Sequence, residues 1–179
     1  MKIAITGHTA GLGQALAQQY ELAGHTIIGL SKREGNNIRN TPKICDQIEP
    51  CDVFVNNAQA GYAQTELLFE MANRWQGTNK HIIVISTMMT QSPTSSLPGL
   101  DMDAYRVQKV ALEESVKQIR NRRLDLKIII VRPGRIATSV DKTVPPFADV
   151  NNWAITLLDI FNIVAKNNLQ IADISLGPI

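Results

Sequence analysis

The sequence predicts an α/β fold built as a doubly wound parallel sheet, with helices on both faces and three layers in all. Short apolar segments alternate along the chain with longer segments of helical periodicity, a pattern typical of parallel sheets. The chain has 179 residues, 44% of them hydrophobic, and shows no internal repeat. A chain of this size is large enough for one core. We therefore expect a single domain over residues 1–179.

The predicted strands are short apolar runs. In chain order they are Lys2–Thr6, Thr26–Leu30, a weak strand within residues 36–50, Asp52–Asn56, Ile82–Ser86, Lys127–Val131 and Ile171–Leu176. The predicted helices lie between them, the first ended by Gly24, since glycine commonly follows a last helical turn. These helices are Leu12–Ala23, a short one around Ile44 and Ile48, Thr65–Trp75, Asp103–Arg123 and Trp153–Asn167.

The helix predicted at Asp103–Arg123 has the clearest amphipathic pattern. Glu113 and Lys117 lie four residues apart on it, and we expect them to form an exposed ion pair. Five other residues recur at intervals of three or four and so share one helix face. They are Tyr105, Lys109, Leu112, Val116 and Ile119.

Charge and hydropathy exclude several classes of protein. The 18 Lys and Arg against 16 Asp and Glu give a net charge of +2, too near neutral to indicate nucleic-acid binding. The longest apolar runs are four residues, far below the roughly 20 that a membrane span needs, so we expect no membrane partner. The sequence starts directly on a strand-like run without the layout of a signal peptide, which favours a cytoplasmic location.

The two cysteines, Cys45 and Cys51, are interpreted as buried thiols of a reducing compartment. We expect no metal site, because no cluster of His and Cys supplies four ligands.

A glycine-rich turn joins the first strand to the first helix. Gly7, Gly11 and Gly13 follow one another at spacings of four and two. Glycine permits a tight turn and close backbone approach to a pyrophosphate, and the helix N-terminus offers free N–H groups to that anion. This placement between a first strand and a first helix predicts a dinucleotide site.

The spacing T-G-x-x-x-G-x-G resembles that of the short-chain dehydrogenase/reductase family, whose domain is Rossmann-like. Further segments share the resemblance, in the same order, from residue 1 to about residue 138. They are Asn56-Asn57-Ala58-Gln59-Ala60-Gly61, Ser86-Thr87, Tyr105-Arg106-Val107-Gln108-Lys109 and Pro133-Gly134-Arg135-Ile136-Ala137-Thr138. The chain would be an unusually short member.

The end of the second predicted strand indicates which nicotinamide cofactor is preferred. Ser31 stands where the family's NAD-dependent members carry Asp, and Lys32 stands where its NADP-dependent members usually carry a basic residue. A missing carboxylate and the two cations Lys32 and Arg33 favour a 2′-phosphate, so NADP(H) is expected over NAD(H). Asn37-Ile38 resembles the family's Asp-hydrophobic pair near the adenine, with Asn in place of Asp.

The resemblance implies residues that contact the cofactor from its adenine end to its nicotinamide end. The expected cofactor-binding residues are Gly7, His8, Thr9, Gly11, Leu12, Gly13, Ser31, Lys32, Arg33, Asn37, Ile38, Asn57, Ala58, Tyr105, Lys109, Pro133, Gly134, Ile136 and Thr138.

Tyr105 and Lys109 form a Tyr-x-x-x-Lys pair on one helix face. A phenol with its ordinary pKa near 10 is a poor acid or base at neutral pH, and an ammonium one turn away is expected to lower that pKa. Tyr105 would then exchange a proton with a substrate oxygen, and the resemblance implies that Lys109 also holds the nicotinamide ribose. A hydroxyl from Thr87, or alternatively from Ser86, would polarise the carbonyl.

Two regions depart from the family pattern. Residues 62–81 leave room for one helix where two are usual, and residues 139–152 leave room for a short flap only. The family's active-site Asn has no clear counterpart. Its position falls near Gln59 or Ala60, and Gln64 is a further candidate.

These features predict an NADP(H)-dependent oxidoreductase that moves a hydride between nicotinamide and a small carbonyl or alcohol substrate. A catalytically weak NADP(H)-binding regulator or redox sensor on the same scaffold is the alternative. The resemblance also implies a homodimer or homotetramer formed through the Thr65–Trp75 and Asp103–Arg123 helices. Trp75, Leu68 and Val116 are candidate contacts there, or else core residues.

Overall fold

A computed structural model describes residues 1–91, 102–122, 125–137 and 148–178 of the chain. Its strands are β1 Lys2–Thr6, β2 Thr26–Leu30, β3 Val53–Asn56, β4 His81–Ile85, β5 Lys127–Pro133 and β6 Asp173–Leu176. Its helices are α1 Gly11–Leu22, α2 Thr41–Ile48, α3 Ala63–Arg74, α4 Met102–Arg122 and α5 Val150–Lys166. Short 3₁₀ turns lie at Lys32–Glu34 and Met88–Thr90.

The strands form one parallel sheet in the order β2-β1-β3-β4-β5-β6. From β1 the chain passes to β2 on one side and then returns to β3 on the other. The point where the order reverses opens a crevice at the carboxyl ends of β1 and β3, which is where ligands bind in such sheets. The order is the doubly wound order 2-1-3-4-5 with a sixth strand, β6, added beside β5.

Each face of the sheet has its own core, because alternate side chains of a strand point to opposite faces. Ala4, Phe54 and Ile82 pack beneath α2, α3 and α4. Ile3 and Ile5 pack on the other face, beneath α1 and α5. The predicted three-layer α/β architecture is therefore confirmed.

Local sequence signals mark several helix ends. Gly24 follows α1 with a φ of 81°, a left-handed conformation that glycine adopts without strain. Proline lies in the first turn of α2, where its missing N–H costs nothing. The Asp149 carboxylate accepts hydrogen bonds from the Asn151 and Asn152 amides, at 3.0 and 2.9 Å, and so caps α5.

The weak strand predicted within residues 36–50 is wrong, because that segment forms a loop and α2. The Asn56-Asn57 segment consequently ends the third strand rather than a fourth. Other predicted elements differ from the observed ones by at most three residues at an end.

The three candidate oligomer contacts lie inside the chain. Trp75, Leu68 and Val116 are at most 1% exposed and belong to the core beneath α2, α3 and α4. Their side chains therefore cannot contact a second subunit unless the packing of the domain core is disrupted.

Within the described segments, no helix combines the length and apolar character needed to cross a membrane.

Candidate active site

The glycine turn lies at the carboxyl end of β1, inside the crevice of the sheet. Gly7 and Gly11 have φ values of 73° and 55°, which side chains other than glycine's rarely tolerate. A Cβ on Gly13 would lie 2.3 Å from the Gly7 carbonyl oxygen, so glycine is required for α1 to pack against the turn. No side chain caps α1 at Ala10. Its first N–H groups therefore suit an anion such as a pyrophosphate.

Asn57 and Ala58 are tied directly to the start of this turn. The Thr6 hydroxyl oxygen accepts hydrogen bonds from the backbone amides of both residues at 3.0 Å. The Asn57 side-chain amide donates to the Thr6 carbonyl oxygen at 2.9 Å. These bonds fix the end of β3 against the end of β1, beside the glycine turn.

The end of β2 carries the residues predicted to select the cofactor. The Ser31 and Thr9 hydroxyls are 2.9 Å apart, which joins β2 to the glycine turn. Lys32 and Arg33 are exposed, as a contact to a 2′-phosphate requires.

A carboxylate that was not predicted from the sequence also lies just after β2. Glu34 approaches the glycine turn, with its Oε2 atom 3.5 Å from Nε2 of His8. The His8 ring lies against Gly29, where a Cβ would come within 2.2 Å of Nε2. The His8 Nδ1 atom is buried and has no hydrogen-bond partner among the described residues.

The predicted adenine-side pair is split between surface and core. The Asn37 side-chain oxygen accepts a hydrogen bond from the Arg39 amide at 3.1 Å and so shapes the turn. The Ile38 side chain is buried in the core against α2, leaving its backbone as the part that can face a ligand.

A cleft of about 590 Å³ opens between the end of β4 and the start of α4. Thr87 and Tyr105 both line it, and the Thr87 side chain is hydrogen-bonded to Tyr105. Ser86 points elsewhere, because its hydroxyl donates to the Glu113 carboxylate at 2.5 Å. The remaining lining residues are Gln59, Met89, Met102, Ala104 and Gln108.

Lys109 lies behind Tyr105, with its Nζ 5.7 Å from the centre of the tyrosine ring. Nζ donates to Gln64 Oε1 and to the Ile85 carbonyl oxygen, both at 2.8 Å. Burial lowers the pKa of Lys109 to about 7, although the nearby Glu113 charge opposes the change.

The pKa of Tyr105 is displaced in the direction opposite to the one expected. Burial raises it, and the hydrogen bond with Thr87 only partly offsets the rise. The expectation that Lys109 lowers the Tyr105 pKa is not met, because burial of the phenol is the dominant influence on that pKa.

Gln64 is the candidate that the structure places against Lys109. It is 2% exposed on the first turn of α3, and its amide donates to the Asn56 and Ile85 carbonyl oxygens at 2.7 and 3.1 Å. Gln59 lines the cleft, where its side-chain amide donates a hydrogen bond to Gln108 Oε1 at 2.5 Å. Ala60 forms a bridge to Tyr62, accepts a hydrogen bond from the Ala63 amide at 3.3 Å and packs against the core.

The Pro133-Gly134 segment lies at the end of β5, next to β4, where a Cβ on Gly134 would lie 3.0 Å from the Met88 sulfur. β5 runs through Pro133, two residues further than predicted, and the Gly134 amide donates to the Leu176 carbonyl oxygen at 2.7 Å. Ile136 forms a bridge to Ala148. Thr138 lies outside the described residues.

The exposed Glu113–Lys117 pair predicted on α4 is wrong. Glu113 is 8% exposed and pairs with Arg132, whereas Lys117 pairs with Glu114. Spacings of three and of four residues both permit an ion pair on a helix, and sequence spacing alone does not reveal which side of α4 faces β5.

The two cysteines are buried free thiols, and burial raises the pKa of each, that of Cys45 to about 12. Among the described residues no group of His, Cys, Asp and Glu could hold a metal ion.

No protein-family model and no curated protein matches the sequence. Solved structures do match, and three represent them. A short-chain dehydrogenase/reductase from Vibrio parahaemolyticus is 20% identical, with a TM-score of 0.74 over 97% of this chain and 98% of its own. A short-chain dehydrogenase from Burkholderia cenocepacia in complex with NADP is 14% identical, with a TM-score of 0.75 over 99% and 88%.

The third is 3-alpha-hydroxysteroid dehydrogenase from a Pseudomonas species, complexed with NADH. It is 18% identical, with a TM-score of 0.70 over 98% of this chain and 95% of its own. These structures superpose on nearly the whole length of the chain, in agreement with the resemblance found in the sequence motifs. The chain has the fold of the short-chain dehydrogenases/reductases.

Proposed function

We propose that the chain is a single-domain member of the short-chain dehydrogenase/reductase family. In this proposal it is an NADP(H)-dependent oxidoreductase that acts on a small carbonyl or alcohol substrate. The observation that carries the proposal is the cluster of Thr87, at the end of β4, with Tyr105 and Lys109 of α4. It lies at the same carboxyl edge of the parallel sheet as the glycine turn of β1. Neighbours of the same fold are described in complex with NADP or NADH.

The glycine turn fits a dinucleotide on its own chemistry. Its uncapped helix N-terminus and its glycine-only backbone would hold the pyrophosphate, with Lys32 and Arg33 at a 2′-phosphate. When bound, the nicotinamide supplies or accepts the hydride. Lys109, Asn57 and the Pro133-Gly134 backbone are the groups proposed to hold that end of the cofactor.

The reaction centre divides the remaining work between its side chains. Thr87 would donate a hydrogen bond to the substrate oxygen and polarise the carbonyl. Burial keeps Tyr105 protonated at neutral pH, so its hydroxyl is available to donate a proton as charge develops on that oxygen. Lys109 would stabilise the phenolate left behind. The hydrogen bond from Lys109 to Gln64 fixes the orientation of the Lys109 side chain.

The cleft walls support a substrate with an apolar body. Met89, Met102 and Ala104 supply adaptable apolar surface, and Gln59 and Gln108 supply uncharged polar groups. We also propose a cytoplasmic homo-oligomer, as the resemblance implies. Exposed Val107 and Val110 on α4 offer apolar surface for such contacts in place of the buried residues named from the sequence.

The test is an NADPH titration followed by a screen of small ketones and aldehydes for loss of NADPH absorbance. Tyr105→Phe removes only the hydroxyl and is expected to lower kcat by about 10²- to 10⁴-fold, with the Kd for NADPH unchanged. Tyr62→Phe, at an exposed tyrosine outside the cleft, is the matched control. Undiminished turnover by Tyr105→Phe would refute the catalytic assignment.

The regulator alternative is favoured by one observation, the short segment 139–152, which leaves room for only a short flap over a substrate. Tight NADPH binding without turnover of any carbonyl would support it over the reductase.

A further inference from the structure

A buried carboxylate lies one helical turn beyond Lys109 and takes no part in the proposed chemistry. Glu113 on α4 accepts hydrogen bonds from Arg132 Nε at 3.0 Å, Arg132 Nη2 at 2.8 Å, Ser86 Oγ at 2.5 Å and Thr90 Oγ1 at 2.8 Å. Burial by itself raises the pKa of Glu113, but these hydrogen bonds together hold it below its usual value. The carboxylate is therefore ionised at neutral pH.

The two hydroxyls that Glu113 binds stand on either side of Thr87. Ser86 precedes Thr87, and Thr90 follows it in the 3₁₀ turn, where the Thr90 hydroxyl also lies 2.8 Å from the Thr87 carbonyl oxygen. The Thr87 hydroxyl in turn accepts from the Met89 amide at 3.3 Å and is hydrogen-bonded to Tyr105. One carboxylate thus fixes both ends of the segment that presents the Thr87 hydroxyl to the cleft.

Arg132 carries the same network into β5. It binds Glu113 through two nitrogens, a geometry that restrains both side chains in direction as well as distance. It directly precedes Pro133-Gly134 and also lies 3.5 Å from Asp173 of β6. The pair therefore joins the strand end of Thr87, the helix of Tyr105 and the strand of Pro133.

A buried ion pair adds little net stability compared with well-packed apolar side chains, because desolvation offsets the attraction between the charges. What such a pair does supply is a fixed geometry. Here that geometry converges on Thr87, while neither Glu113 nor Arg132 lines the cleft.

We propose that Glu113 and Arg132 are positioning residues that hold the Thr87 hydroxyl in register with Tyr105 and touch neither substrate nor cofactor. This inference rests on the proposed reductase function. It predicts that loss of the pair lowers kcat because the Thr87 hydroxyl is displaced, and not because the fold is less stable.

A double-mutant cycle tests the inference. Glu113→Gln keeps the size of the side chain but removes its charge, and it is expected to lower kcat by about 10- to 100-fold, with the Kd for NADPH unchanged. In a Thr87→Ala background the same change is expected to lower kcat by less than twofold, while the fall in Tm is equal in both backgrounds. Glu114→Gln, at the exposed neighbour on the same helix, is the matched control.

Each outcome decides between the possibilities. Equal losses of kcat in both backgrounds would show a structural role only and overturn the inference, while leaving the reductase proposal intact. A wild-type chain that binds NADPH but turns over no carbonyl would overturn both. If Glu113→Gln does not fold, Thr90→Val takes its place in the cycle, since it removes one hydroxyl and leaves the Glu113–Arg132 pair whole.

Discussion

The two ends of the candidate site are built in different ways. At the glycine turn, backbone groups and missing side chains make the site, and a single Cβ on Gly13 would meet the Gly7 carbonyl at 2.3 Å. At the reaction centre, buried side chains make it: Lys109, Gln64 and Glu113 are all at most 8% exposed. The turn depends on neighbours in sequence, whereas the reaction centre joins residues from β4, α3, α4 and β5.

This difference determines how each end should respond to substitution. A backbone site fails when a side chain is added, and its failure appears in cofactor affinity. A side-chain network fails when a polar partner is removed, because the partner left behind is buried without a hydrogen bond. Its failure appears in turnover and in the pH dependence of stability.

The largest effect beyond the catalytic tyrosine is expected from Gly13→Ala. The added methyl group also comes within 2.6 Å of the Asn57 amide nitrogen, so α1 must move away from the turn. Overpacking of this kind costs about 1–3 kcal/mol, and we expect the Kd for NADPH to rise about tenfold or more. Fluorescence titration measures it, with Gln14→Ala on the exposed side of α1 as control. An unchanged Kd would contradict a backbone-built site.

A smaller effect, specific to the reaction centre, is expected from Lys109→Met. The folded chain releases the Lys109 proton near pH 7 and the unfolded chain holds it to about pH 10.5. Between these values the unfolded state binds more protons, so wild-type stability rises with pH relative to the variant, by at most about 1.4 kcal/mol per pH unit. Below pH 7 both states are protonated and the difference is flat.

Urea unfolding of both proteins at several pH values between 6 and 9 measures this difference. Lys117→Met, at an exposed lysine of the same helix, is the matched control. A flat difference between wild type and Lys109→Met over this range would mean that Lys109 keeps its proton in the folded chain.

The smallest effect is expected where charges are exposed, at the end of β2. The double change Lys32→Ala with Arg33→Ala removes two cations from the proposed 2′-phosphate site, and the preference for NADPH over NADH should fall about tenfold, or about 1.4 kcal/mol. The Kd for NADH should stay constant.

Glu34→Gln should move the preference the other way, because its carboxylate approaches the same turn and repels a phosphate. Titrations with both cofactors measure these ratios, and Lys166→Ala far along the chain is the control. If the ratio of the two Kd values is unchanged in both variants, cofactor selection does not depend on Lys32, Arg33 or Glu34.

Much of the fold followed from local pattern. Apolar runs and helical periods located all six observed strands and all five helices, and the only extra element was the weak strand within residues 36–50. Apolar content there suffices for a strand, but Ile44, Cys45 and Ile48 instead form the buried stripe of α2.

Only part of the candidate site could be predicted from the sequence. The glycine spacing and the Tyr105–Lys109 spacing identify their own positions, since both depend on a single turn or a single helix face. Gln64 was one of three candidates, and the roles of Glu113, Arg132 and Glu34 gave no signal that spacing could detect.

By itself, the sequence determined the alternation of strands and helices, the glycine turn and the tyrosine–lysine face, because each is set by residues close together in the chain. The tertiary structure alone decided that Ser86 turns toward Glu113 and Thr87 toward Tyr105. It also placed Gln64 on Lys109, across 45 residues of sequence. These contacts depend on which strands become neighbours in the sheet and on the rotation of α4 against β5, and both are fixed by packing of the whole core.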